Sequence, residues 1–119
     1  MTKVQFKGVD QFLTKVGLMP QELQKKTNQI VQKRTLEMEA NAKNLAPVDT
    51  GHLRRSIKSD VTNTSTGVIG EVNANVEYAI YVEYGTVYQT AQPFFFPSFK
   101  AASEGFKTDI QKALGETLK

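Results

Sequence analysis

Apolar positions in the first half of the chain fall at helical spacing. Leu23, Thr27, Ile30, Val31, Met38, Ala42 and Leu45 form one stripe, with charged residues on the opposite side, over the stretch from Pro20 to about Leu45. This pattern predicts a long amphipathic helix. Pro20 suits its first position, where a missing N–H loses no partner, and Pro47 stops it by pushing the preceding residue out of helical space. Such a helix is about 37 Å long at 1.5 Å per residue. That exceeds what a small globule needs, so it is expected to project beyond its own domain or to pack on a neighbour. Upstream, Val4-Gln5-Phe6 alternates like a short opening strand. Phe12, Leu13 and Val16 suggest a short helix over Asp10–Val16, ended by Gly17.

The period changes after Pro47. Ile57–Thr64 and Val68–Asn75 each alternate, and Ser65-Thr66-Gly67 is a turn between them, which predicts an antiparallel hairpin. Its polar positions are rich in Thr, Asn and Ser, so one face is expected to be wet or covered by another chain. Val76–Tyr84 fits two periods. Tyr78, Ile80, Val82 and Tyr84 alternate as in a strand, while Val76, Ile80 and Tyr84 fit two helical turns. Helix is favoured, with Asn75 as cap, Glu77 in the first turn and Gly85 at the end. Val87–Gln92 reads as a loop. In the QPFFFPSF segment the two prolines are expected to hold an extended run of three phenylalanines. Pro97 then opens a last helix with the stripe Phe99, Ala102, Phe106, Ile110, Ala113 and Leu114, which is expected to fray from Gly115. Together these elements predict an α+β fold: a hairpin plus edge strands, packed against a long N-terminal-half helix and a C-terminal helix.

Composition narrows this picture modestly. A chain of 119 residues is the size of a single domain, here 1–119. With no cysteine, disulfide frameworks and thiolate zinc sites are excluded. The N-terminus holds no apolar run of signal-peptide or membrane-span length, so no membrane contact is expected. A net charge of +3 permits contact with nucleic acid without requiring it. Lys25-Lys26, Lys33-Arg34 and Arg54-Arg55 are the candidate basic clusters, and solvated helix faces account for them more simply.

The only histidine, His52, lies in the stretch APVDTGHLRRSIKSD. Catalysis centred there would need His52 as base, Asp49 as its orienting acid and Ser56, four residues on, as nucleophile, with an oxyanion hole nearby. No glycine-rich nucleophile turn accompanies them. A structural corner fits better: Asp49 or Thr50 caps a short helix beginning near Gly51, and Leu53 and Ile57 face the core. Arg54 would be free to reach a carboxylate such as Glu83, clamping one motif to the other. The carboxylates Glu37, Glu39, Asp49, Asp60, Glu71, Glu77 and Glu83 are scattered without the spacing of a calcium loop, and no phosphate-binding glycine motif occurs. No cofactor or metal is expected, and no enzymatic activity. The aromatics are denser. Tyr78, Tyr81, Tyr84, Tyr88, Phe94, Phe95, Phe96 and Phe99 place 8 of the 11 aromatic residues within 22 positions. Three consecutive phenylalanines cannot all face one way, so a surface aromatic patch of the kind found at protein–protein contacts is expected.

Three blocks, Pro47–Ile57 (PVDTGHLRRSI), Tyr78–Thr86 (YAIYVEYGT) and Ala91–Phe99 (AQPFFFPSF), in that order and spacing, resemble the head–tail joining, or tail-completion, family of tailed phages, sometimes described as gp-ten-like. Pro47, Asp49, Thr50, Gly51, Leu53 and Arg54 match its first block. Tyr78, Tyr81, Glu83, Gly85 and Thr86 match the second, and Gln92, Pro93, Phe94 and Pro97 the third. Phe95-Phe96 departs from the aliphatic and variable residues of the pattern, which bears on how this loop packs. The resemblance implies a structural protein of the virion neck, made in the host bacterial cytoplasm. It implies assembly with itself as a ring, expected as a hexamer. Its neighbours would be a head-closure or connector protein and a tail terminator or tail-tube protein, with non-specific contact to genomic DNA in the channel. The subunit or partner interface is expected at Tyr78, Tyr81, Tyr84, Tyr88 and Gln92–Pro97, together with the hairpin edge. A DNA-binding packaging accessory or head-closure protein is the alternative, and a small hydrolase using His52 a third.

Overall fold

The computed structural model describes residues 12–14, 21–47, 51–63 and 67–117. In chain order the elements are β1 (Phe12–Thr14), α1 (Gln21–Leu45), α2 (His52–Ser56), β2 (Ile57–Asn63), β3 (Val68–Ala74), α3 (Ala79–Tyr84) and α4 (Phe95–Thr117). The fold is α+β. Helix α1 lies against the sheet and also against α4. Its buried positions, Leu23, Thr27, Val31, Thr35, Met38 and Ala42, step by four, four, four, three and four, as one helix face must. This stripe is covered nearly end to end, so the length of α1 is absorbed by its own chain and does not project. Of the anticipated stripe, Leu45 is half exposed.

The hairpin forms as its alternation predicts. β2 and β3 pair antiparallel from Ile57↔Ala74 to Asn63↔Val68. Val68, Gly70, Val72 and Ala74 are buried, whereas Lys58, Asp60 and Thr62 face outward. The helix expected over Asp10–Val16 is replaced, where described, by β1, which pairs antiparallel with β3 from Phe12↔Gly70 to Thr14↔Val68. Two adjacent apolar residues and a third beyond fit either period, and the open edge of β3 offers hydrogen bonds that a local pattern cannot reveal. The sheet order is therefore β1-β3-β2. The expected strand Val4–Phe6 and turn residues Ser65 and Thr66 lie outside the described residues.

Where α1 crosses the sheet, its side chains press on β3 at Gly70. A Cβ there would collide with Thr35 Oγ1 and stand 3.1 Å from Val31 Cγ1. On its other side α1 meets α4 through Arg34, whose Nε donates to Asp109 Oδ2 at 2.7 Å and whose Nη1 donates to Glu37 Oε2 at 2.8 Å. The guanidinium lies over Gly105, where a Cβ would be 2.6 Å from Arg34 Cζ. This accounts for a glycine inside α4 despite its helix penalty of about 1 kcal/mol.

The hydrogen bond from Arg34, aided by the positive charges of Arg34, Lys33 and Lys112, holds the Asp109 carboxyl below its ordinary value of 3.8, against the opposing effect of burial. As pH falls the unfolded chain takes up this proton first. The contribution is therefore complete above about pH 4 and is lost as pH drops through the lowered pKa. Asp109→Asn is expected to flatten the stability–pH curve below about pH 4 and to lower neutral stability by about 1 kcal/mol or less, solvent screening limiting the pair. Denaturant titrations between about pH 2.5 and 7 of both proteins test this; parallel curves would refute it.

Candidate interaction surface

At the corner, α1 ends at Leu45 and Ala46 N–H still donates to Ala42 O at 3.0 Å before Pro47. Asp49 and Thr50 lie outside the described residues, and the N-cap position of α2 falls on Gly51, whose φ of 73° suits glycine and whose lack of a side chain leaves no side-chain cap. Leu53 and Ile57, four apart, are buried as expected. Arg54 does not pair with Glu83. Its Nε donates to Lys43 O at 2.9 Å, closing one of the carbonyls left open at the C-terminal end of α1. Ser56 Oγ donates to Leu53 O at 2.6 Å, so the hydroxyl required as nucleophile is spent on backbone. The ring of exposed His52 stands 6.2 Å from that of Tyr78.

Glu83 has a different task. It is 5% exposed on the inner side of α3. Oε1 accepts the N–H groups of Phe94 (3.1 Å) and Phe95 (2.9 Å), and Oε2 accepts that of Phe96 (3.0 Å). A carboxylate from one helix thus caps the N-terminus of another, satisfying donors that α4 cannot satisfy itself. For this reason the phenylalanine run is not extended: α4 begins at Phe95, and Pro97 sits inside its first turn, where it needs no N–H. Helical rotation then separates the three rings. Phe94 and Phe95 are buried edge to face at 5.9 Å, whereas Phe96 is 59% exposed. Phe94 and Phe95, expected at the interface, belong to the core. α3 also starts later than anticipated. Its N-cap is Tyr78, and Ala79 N–H bonds Val76 O in a turn that buries Val76, so Asn75 caps nothing.

Between α3 and α4 the chain forms a tight, internally bonded turn. Gly85 has φ 79°, and a Cβ on it would be 2.7 Å from Ala91 N. Thr86 and Gln89 exchange backbone hydrogen bonds at 2.9 and 3.3 Å, and Thr86 Oγ1 accepts the N–H groups of Tyr88 and Gln89, each at 3.1 Å. Gln92 N–H donates to Val82 O at 2.8 Å. The tip residues, Val87 and Tyr88, are each 92% exposed. Ile80, Tyr81 and Tyr84 on the outer side of α3, Tyr78 before it and Phe96 beyond the loop extend this apolar surface; Gln92, Pro93 and Pro97 are exposed beside it.

The stretch that builds this surface is also nearly free of charge. The chain carries 15 Lys and Arg and 12 Asp and Glu, yet from Tyr78 to Phe99 the sole charged residue is Glu83, which is buried and bonded. Depletion of charge with enrichment of Tyr and Phe is the compositional mark of an interface centre. Ile80 was not anticipated there, although the run without exposed charge was visible in the sequence. Among the described residues no group of His, Cys, Asp or Glu could hold a metal ion, and no helix is long and apolar enough to cross a membrane. The model of the family described as Bacteriophage HK97-gp10, tail component, matches residues 10–85, well over half of the chain, from just before β1 to the end of α3. No curated protein and no solved structure matches.

Proposed function

The chain belongs to the HK97-gp10-like family of phage tail components, and on that footing we propose that it is a structural virion protein of the neck, a ring-forming tail-completion component that joins the tail to the DNA-filled head. The family is one of structural components, which points away from catalysis. The observation that carries the proposal is the charge-poor aromatic surface of α3 and the following loop, about the right character for a subunit or neighbour contact. Ring subunits meet head to tail, so each must present a second, different surface; β2, an edge strand of the sheet among the described residues, offers its outer backbone groups for it, apart from Ser59, which is bonded to Glu39 of α1. Head-closure or connector protein on one side and tail terminator or tail-tube protein on the other are the proposed neighbours, with six copies of this chain in the ring. Gold-labelled antibody viewed by electron microscopy should mark the head-proximal end of purified tails. Labelling spread along the tube, or virions without the protein, would defeat the proposal.

A second role, in contact with DNA or as a packaging accessory, is favoured by the groove between α1 and α4, lined by Lys26, Lys33 and Lys112 together with Asp109, itself held by Arg34. It predicts salt-sensitive binding of duplex DNA by the isolated chain, weakened by replacing these three lysines with glutamine, with a log–log salt slope shallower by up to about 3. No retardation at low salt would dismiss it.

A further inference from the structure

The aromatic surface carries both a knob and a hole. The knob is the Val87–Tyr88 tip, fixed by the Thr86–Gln89 hydrogen bonds and touching little of its own chain. The hole is a cleft of about 300 Å³ between Pro47, Val82, Gln89, Thr90 and Gln92. That is the space of roughly ten waters at about 30 Å³ each, ample for one phenol ring. Gln89, which lines the hole, directly follows Tyr88 of the knob in the chain, so the two are adjacent.

We propose that the free chain pairs with a second copy of itself across this surface, Val87 and Tyr88 of each copy seated in the cleft of the other. A two-fold contact brings one patch against its own image and demands that the patch be self-complementary. Adjacent knob and hole meet that demand. So does the absence of exposed charge from Tyr78 to Phe99, because a charge near a two-fold axis would face its own like-signed image. The size is adequate as well. With roughly 200 Å² for a whole aromatic side chain, the exposed parts of Tyr78, Tyr81, Tyr84, Tyr88 and Phe96 present about 650 Å². A standard interface takes about 800 Å² from each partner. The inference rests on the reading of this surface as an assembly interface and names its occupant in the free chain; the pairing gives way when a neck neighbour takes the surface.

Sedimentation of the full chain from roughly 1 μM upward, where interfaces of this size begin to dissociate, should show a species with the mass of two 13.3 kDa chains. Tyr88→Ala is expected to weaken pairing at least tenfold, and Thr90→Lys to weaken it in a way that added salt partly reverses. Both positions are exposed, so far-UV circular dichroism should be unchanged. A single-chain mass at every concentration, a larger closed assembly as the only oligomer, or pairing indifferent to both substitutions would overturn the inference. Tails labelled at their head-proximal end by a protein that sediments as a single chain would refute the pairing alone, leaving the neck role standing.

Discussion

Glu83→Ala is expected to destabilise the protein by about 3–5 kcal/mol, a large part of the total stability of a domain this size. Three N–H groups at the start of α4, two of them buried, lose their acceptor together. The negative charge at the helix N-terminus is lost as well. Phe94 and Phe95 are placed by those same bonds, so the core loses its anchor along with the cap. Glu83→Gln keeps one acceptor oxygen and should cost about half as much. Equilibrium denaturation in urea measures both. If Glu83→Ala unfolds within about 1 kcal/mol of the parent, the carboxylate is not what holds α4 in place.

Gly70→Ala is expected to cost about 2–3 kcal/mol by overpacking. The added methyl meets Thr35 Oγ1, Thr35 Cβ and Val31 Cγ1; Val31 is held to one rotamer in a helix, and no rotation of Thr35 removes its Cβ. α1 must then lift from β3. Thr35 Oγ1 is itself buried without a hydrogen-bond partner, so Thr35→Ala alone should change stability by about 1 kcal/mol or less, lost packing offsetting a removed unpaired hydroxyl. Combined, the two changes should recover most of the loss, giving a coupling energy of at least about 1 kcal/mol. Simple additivity in thermal or denaturant unfolding would show that the contact at Gly70 does not set the helix–sheet distance.

Much of the fold was legible because its period was strong. The four-residue steps from Leu23 to Ala42 and the alternation from Val68 to Ala74 leave one solution each for which side turns inward, and Pro47 ends α1 wherever α1 packs. The aromatic surface was legible in part. Tyr81, Tyr84, Tyr88 and Phe96 are exposed as expected, and the family blocks pointed to the same stretch. What failed had a common cause. Phe12–Thr14 is a strand because β3 offers an edge, not because three residues prefer it. The phenylalanine run enters α4 because Glu83, 11 to 13 residues upstream, satisfies its first N–H groups. Arg54 turned to a carbonyl of α1 close by in space, and Glu83 was already occupied.

The sequence by itself determined the long helix, the hairpin and its wet face, the corner at Pro47 and the stretch that would gather aromatics, since each follows from local period, backbone restriction or composition. Only the tertiary structure decided which carboxylate caps which helix, why position 70 admits no side chain, and which phenylalanine of three reaches solvent. Those depend on groups far apart in the chain meeting within hydrogen-bonding or contact distance, and spacing along the sequence carries no record of that.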